Sequence, residues 1–225
     1  MSADGTKVAV TDDAGVLVMG LSSSSKGSGG GMSFSPIGAP VKPPAHTVGL
    51  NAVVVAFDPG APPPSPKEQL DRASLSESTA VLAVGWNDDG GTTAAVSLHA
   101  VGEQAVTPLW EHVRKCPAGT GENLIQANGL QISPGAAWVV LGSWGCAGAP
   151  PQALANAAML RGRGGDGSVA YEATMPGQVW AASVDAWEEA GEAQTVFGFS
   201  SWAGPQPGGT KAQVAAFAPT AMPTY

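Results

Sequence analysis

A strand–turn–strand pattern that ends in tryptophan recurs along the chain and constrains its fold more than any other feature. It is clearest at Gly129–Trp144 (GLQISPGAAWVVLGSW), where two short apolar strands flank a turn at Pro134–Gly135. Alternating apolar residues, β-branched and aromatic side chains, and flanking turn residues favour a β-hairpin over a helix. Similar strands end at Trp86 and Trp202, each 58 residues from Trp144. A repeat of fixed period predicts an architecture built from repeated β-sheet units.

The repeat predicts an all-β fold of about four units, each a four-stranded antiparallel sheet. The 31 glycines and 19 prolines suit many short strands joined by tight turns. Repeated sheets of this kind pack as the blades of a β-propeller, which we expect to form one domain over residues 1–225. We expect this propeller to be incomplete, because the first unit begins inside the repeat and the last lacks an outer strand. Further blades or other chains would then complete it.

The predicted strands follow the units in order. They are Lys7–Thr11, Val16–Ser22 and Asn51–Phe57 in the first unit; Ala73–Ser76, Ala80–Trp86, Thr93–Val101 and Pro108–Val113 in the second; Gly129–Ser133, Ala137–Trp144, Ala157–Arg161 and Val169–Thr174 in the third; and Val179–Val184, Thr195–Trp202 and Gln213–Phe217 in the fourth. The segment Ser23–Thr47 is rich in Ser, Gly and Pro, so we predict a mobile loop there. We also predict a loop at Asp185–Glu192.

Three stretches carry a family resemblance: GLQISPGAAWVVLGSWG (129–145), AVSLHAVGEQAVTPLWEHV (95–113) and GQVWAASVDA (177–186). A strand ending in Ser, a turn, a strand ending in Gly-Ser and then Leu-Trp-Glu resembles the quinoprotein-like (pyrroloquinoline-quinone-like) β-propeller superfamily, whose fold is shared with WD-like repeats. Quinoprotein dehydrogenases of that superfamily oxidise alcohols or sugars with a quinone and Ca²⁺, and several carry adjacent cysteines. This sequence has no adjacent cysteines and lacks their A-x-D-x-x-T-G tryptophan-docking signature, so we predict no cofactor.

Trp86, Trp144 and Trp202 are candidate ligand-binding residues. In a propeller the end of the second strand lies near one face, where aromatic rings stack on sugars or other flat ligands. The alternative is that each ring wedges between neighbouring sheets.

Asp88 and Asp89 follow Trp86 and form a second candidate site. Their carboxylates are suitable ligands for a hard cation such as Ca²⁺. The sequence Asn-Asp-Asp-Gly-Gly is equally typical of an ordinary turn.

The sequence carries no recognisable catalytic or metal-binding motif. His46, His99 and His112 lie far apart, without a cysteine or carboxylate at zinc-ligand spacing. Neither a G-x-S-x-G motif nor a phosphate-binding glycine loop is present. We therefore predict no catalytic residue and no metal site within this chain.

Cys116 and Cys146 are the only cysteines. In a propeller both would lie in links on one face and flank one blade, which makes a disulfide between them geometrically possible. Two free cysteines are the alternative, because no secretion signal is visible. A disulfide would indicate an extracellular protein, and free thiols a cytoplasmic one.

The net charge and the hydropathy of the chain limit the classes of partner that it is expected to bind. The net charge of −8, with no basic cluster, disfavours nucleic acid. No apolar run approaches the roughly eighteen residues that span a bilayer. We predict a non-enzymatic binding module that recognises a protein or glycan ligand through one loop-rich face. The alternative is that the chain is part of a quinoprotein-like oxidoreductase or of a hydrolase whose catalytic residues lie outside it. Carboxylates and a bound metal grouped at the centre of the propeller would favour this alternative.

Overall fold

The computed structural model describes residues 1–2, 4–12, 15–23, 32–45, 49–58, 80–118, 120, 123–146, 155–175, 177–189, 192–206 and 209–217. Within these ranges the chain forms fourteen β-strands and no α-helix, and one 3₁₀ turn lies at Pro134–Ala136. The prediction of an all-β fold is confirmed. No helical segment in these ranges is long and apolar enough to cross a membrane.

The strands are distributed over three sheets. The first sheet contains β1 (Lys7–Asp12), β2 (Gly15–Ser23) and β3 (Met32–Pro36). The four-stranded sheet contains β4 (Leu50–Phe57), β5 (Ala80–Asp88), β6 (Thr93–Val101) and β7 (Val106–Lys115). The seven-stranded sheet contains β8 (Ile125–Ile132), β9 (Trp138–Ser143), β10 (Ala157–Arg161), β11 (Val169–Ala173), β12 (Gln178–Glu189), β13 (Glu192–Gln206) and β14 (Gly209–Phe217).

One parallel contact decides the number of sheets. The seven-stranded sheet has the order β11-β10-β9-β8-β12-β13-β14 and is antiparallel except where β8 meets β12. Those two strands run parallel and pair at Asn128 and Ala181. The contact joins two antiparallel groups, β8–β11 and β12–β14, into one sheet. The predicted count of about four separate four-stranded blades is therefore wrong, because the sheets have three, four and seven strands.

The first sheet contains a strand that the Ser-, Gly- and Pro-rich composition of its segment did not predict. β3 lies inside Ser23–Thr47, the segment predicted to be a mobile loop, and it pairs with β2. Val41 then forms a bridge to Val16. The prediction of a continuous loop is wrong for this stretch, because backbone ladder bonds form whatever the side chains are. Residues 24–31 and 46–47 of this segment lie outside the described residues, so mobility there stays a prediction.

Two other predicted boundaries change. Within the predicted loop Asp185–Glu192, residues 185–189 instead continue β12, and Glu189 lies opposite Glu192 on β13. Antiparallel pairing satisfies the hydrogen bonds of the backbone N–H and C=O groups, so this polar stretch forms paired strands without apolar side chains. The strand predicted at Ala73–Ser76 lies outside the described residues. β4, which we assigned to the first unit, instead forms an edge of the four-stranded sheet by pairing with β5.

Three apolar clusters lie between successive groups of strands. The first sheet packs on the four-stranded sheet, that sheet packs on β8–β10, and β9–β10 pack on β12–β13. Burial of these faces removes apolar area from water and is the main stabilising contribution. Five apolar residues of β5, β9 and β13 are at most 1% exposed, whereas Val196 on β13 is half-buried; the five are Val81, Val84, Val139, Leu141 and Phe199.

Two buried asparagines connect one strand group to the next. At the end of β5, the amide of Asn87 donates to the carbonyl of Ile125 and accepts from its N–H, both at 2.9 Å. Before β10, Asn156 bonds the backbone of Met175 in the same way and also donates to the carbonyl of Gly177 at 2.6 Å. Each side chain therefore hydrogen-bonds the backbone at, or just before, the first strand of the following group.

Candidate ligand-binding site

Three tryptophan rings lie in contact and form what we call the aromatic row: Trp144, which follows β9, Trp180 on β12 and Trp202 on β13. The ring centroids of Trp144 and Trp180 are 5.7 Å apart, and those of Trp180 and Trp202 are 6.3 Å apart. Trp180 is 40% exposed and Trp202 38%, whereas Trp144 is half-buried. The row therefore presents a partly exposed aromatic surface, and exposed aromatic surface of this kind is enriched at binding sites.

The strand pairing explains why these residues meet. Trp144 directly follows β9, which pairs with β8, and β8 lies beside β12. On β12, Gln178 lies opposite Trp202, so the start of β12 and the far part of β13 share one end of the sheet. The ends of these strands therefore bring residues distant in sequence to one place.

A β-bulge determines the position of Trp180. The β12–β13 register shifts between Val179 and Ala181, and Trp180 is the extra residue without a partner on β13. Val179 is fully buried while Trp180 is exposed. A bulge redirects a side chain relative to the regular alternation, and bulges are enriched next to functional sites.

Trp144 is held by its backbone and by packing rather than by its indole nitrogen. Its backbone N–H donates to the carbonyl of Leu124 at 2.9 Å. The indole Nε1 is buried and has no hydrogen-bond partner. The hydroxyls of Ser143 and Ser201, each next to a tryptophan of the row in sequence, are buried without partners as well. Groups of this kind raise the free energy of the folded state, so the site is not optimised for stability alone.

Trp86 occupies a different environment although it has the same place in the repeat. Its side chain is fully buried, and Nε1 donates to the hydroxyl of Ser97 at 2.8 Å. The Ser97 hydroxyl also lies 2.8 Å from Nε2 of His99. Trp86 was one of the three predicted ligand-stacking residues. It instead lies in the core between two sheets, where it is closed to ligands.

Burial governs the ionisation of His99. Desolvation lowers the pKa of its imidazole to about 4, so the ring is neutral at pH 7. Ser97 and His99 have the chemistry of a nucleophile and a base. Both are at most 5% exposed, so this pair is closed to substrate and belongs to the core.

Asp88 ends β5, and Asp89 lies in the turn that follows. Asp88 accepts hydrogen bonds from the hydroxyl of Thr92 at 2.8 Å and from the N–H of Thr93 at 3.0 Å. Burial raises the pKa of Asp88, but these bonds outweigh burial and leave that pKa lowered. Asp89 accepts from the amide of Asn51 at 2.7 Å. Among the described residues no three His, Cys, Asp or Glu side chains are grouped as metal ligands would be.

Cys116 and Cys146 form a disulfide, which settles in this structure the alternative that the sequence left open. Their Cα atoms are 5.6 Å apart. Cys116 follows β7 of the four-stranded sheet and Cys146 follows β9 of the seven-stranded sheet. The disulfide therefore connects the two sheets two residues beyond Trp144, at one end of the aromatic row. It is compatible with an extracellular protein.

Comparison with protein-family models, curated proteins and solved structures gives no match for this chain. The chemistry of the residues themselves is therefore the basis for assigning a function.

The predicted site residues are only partly brought together. Trp144 and Trp202 belong to the same row, whereas Trp86 lies in the core and the two aspartates lie at a turn. Trp180, the central ring, was not predicted, because the repeat marks the ends of second strands and Trp180 lies on a first strand. A large aromatic residue between the smaller Val179 and Ala181 was the available signal.

Proposed function

We propose that this protein is a non-enzymatic binding module that recognises a glycan through the aromatic row. The observation that supports the proposal is the contact of three tryptophans that are distant in sequence, two of them 38–40% exposed. Indole faces bind the apolar C–H faces of sugar rings, and a ligand that covers them removes apolar area from water.

Comparison with Trp86 favours a binding role for the row over a purely structural one. Trp86 is fully buried and its indole N–H has a partner, which is how a core tryptophan is normally accommodated. Trp180 and Trp202 leave more than a third of their surface exposed. Leaving that much indole in water gives up burial energy that a ligand would supply.

The experiment is calorimetric titration with a panel of oligosaccharides, using the intact chain and the Trp180→Ala variant. We expect binding by the intact chain and a loss of affinity of about tenfold or more in the variant, since one stacked ring contributes about 1.4 kcal/mol. Leu109→Ala, which removes a 41% exposed side chain on β7, is the matched control and should bind normally.

Failure of every glycan would contradict the proposal. If Trp180→Ala then altered self-association measured by light scattering, the row would instead be a protein contact, as exposed tryptophans often are.

We further propose that the sheets are arranged as in a β-propeller, as the resemblance to the quinoprotein-like superfamily implies. Two observations support this arrangement: apolar clusters separate successive strand groups, and the first strands β8 and β12 run parallel side by side. An experimental structure tests it. Sheets radiating from one axis are expected, and two sheets closed face to face as a sandwich would contradict it.

A further inference from the structure

We propose that the aromatic row binds a single uncharged sugar chain in solution rather than the flat surface of a packed polysaccharide. This inference rests on the proposed function and specifies the class of ligand. It follows from the angles between the rings, from the way the strands fix those angles, and from the uncharged residues that lie opposite Trp202 and Ala181 in the register.

The ring angles exclude a flat platform. The planes of Trp144 and Trp180 are tilted by 46°, and those of Trp180 and Trp202 by 68°. A flat surface stacks on several rings at once only when those rings are nearly coplanar. Here a flat surface would lie against one ring and meet the edges of the others. A single chain whose sugars turn from one unit to the next can present a face to each ring.

The tilt is built into the backbone. The bulge at Trp180 gives this ring a direction that regular alternation on β12 would not allow. On its other side Val179 packs tightly against β9, because a Cβ atom on Gly142 would lie only 2.4 Å from Cγ1 of Val179. The glycine thus permits the close approach of β9 and β12 that brings Trp144 against Trp180. Flattening the row would require both features to change.

The neighbouring positions indicate an uncharged ligand. In the register, Trp202 lies opposite Gln178 and Ala212, and Ala181 lies opposite Asn128 and Ser200. None of these five residues carries a charge, and Lys211 is a basic residue next to Ala212 on β14, where the register with β13 shifts. Amides and hydroxyls donate to and accept from sugar hydroxyls, whereas recognition of sulfated or uronic-acid glycans relies on basic side chains. The net charge of −8 opposes an anionic chain as well.

The test compares soluble and solid ligands of the same chemistry. Titration with cellohexaose, xylohexaose, mannohexaose and chitohexaose is paired with sedimentation on microcrystalline cellulose and on chitin powder. We expect one or more of the soluble hexasaccharides to bind, with affinity reduced about tenfold in Trp180→Ala and unchanged in Leu109→Ala. We expect no retention on either solid.

The outcomes separate the inference from the proposed function. Retention on a solid that Trp180→Ala abolishes would overturn the inference and leave glycan binding standing. Binding of heparin in preference to the neutral hexasaccharides would do the same. If neither the soluble nor the solid sugars bind, the proposed function fails and the inference fails with it. Circular dichroism of each variant shows that a loss of binding is not a loss of fold.

Discussion

The indole N–H groups of Trp86 and Trp144 have different surroundings, and this difference separates a structural tryptophan from a candidate binding residue. Trp86 donates to Ser97, whereas the buried Nε1 of Trp144 has no partner. Removing a buried group that lacks a partner relieves a desolvation cost, while removing one that has a partner leaves that partner unsatisfied. Substitution by phenylalanine therefore distinguishes the two residues.

We expect Trp86→Phe to lower the free energy of unfolding by about 2–4 kcal/mol, through a lost hydrogen bond and a cavity in the core. Trp144→Phe should change it by less than about 1 kcal/mol, because relief of the buried donor offsets part of the lost contact. Urea denaturation of both variants measures the difference. A larger loss for Trp144→Phe than for Trp86→Phe would contradict this view and make Trp144 a core residue.

His99 makes stability depend on pH. Its pKa is about 4 in the folded chain and near 6.5 when unfolded, so the unfolded chain binds more protons between these values. The contribution of His99 to the free energy of unfolding is therefore fully present above about pH 6.5. We expect this contribution to fall by up to about 3 kcal/mol as the pH drops toward 4. Urea denaturation at several pH values measures the dependence.

His99→Gln is the control for that dependence, since glutamine does not titrate. The variant should lose less stability than the parent chain between pH 7 and 4. Burial and the nearby Arg114 also lower the pKa of His112, against the opposing charge of Glu172, so a part of the slope remains. Identical slopes in the two proteins would show that the His99 pKa is not depressed.

At the scale of the elements, the asparagine side chains hold successive strand groups together. Asn87→Ala leaves the N–H and carbonyl of Ile125 without their partners, and we expect it to cost about 2–4 kcal/mol. Asn51→Ala removes an exposed amide that donates to Asp89 and should cost less than about 1 kcal/mol. Thermal or urea unfolding measures both, and equal losses would contradict a joining role for Asn87.

The strands were predictable where the pattern of apolar residues in the sequence follows the pattern of buried positions. Thr93–Val101 and Ala157–Arg161 have the bounds that their apolar patterns predict. β3 and the polar end of the β12–β13 hairpin were not predictable, because their pairing depends on backbone bonds to a neighbour rather than on apolar side chains. Trp180 stands out in the sequence as a large aromatic residue between two smaller ones, but the bulge that exposes it is a mismatch between two strands, which neither strand's sequence alone contains.

At the scale of the whole molecule, the Cys116–Cys146 disulfide connects the four-stranded and seven-stranded sheets, which also share apolar packing and hydrogen bonds such as those of Asn87 to Ile125 and of Trp110 Nε1 to the carbonyl of Gly162. It closes a loop over a sequence separation of 30 residues. Restriction of the unfolded chain by such a loop stabilises the fold by about 3–4 kcal/mol. We expect the Cys116→Ser, Cys146→Ser double variant to lose about this much in urea denaturation. Equal midpoints for the variant and the parent chain would show that the disulfide does not stabilise the fold.

The parallel contact between β8 and β12 also has a consequence for the rate of folding. Most strand pairs are hairpins between neighbours, which form in microseconds because the loops that they close are short. Asn128 and Ala181 are separated by roughly fifty residues, and the whole β9–β11 meander must lie between them before they meet. We therefore expect this contact to be the slow step in refolding and the aromatic row to assemble only after it, since Trp180 and Trp144 lie on opposite sides of the β8–β12 contact.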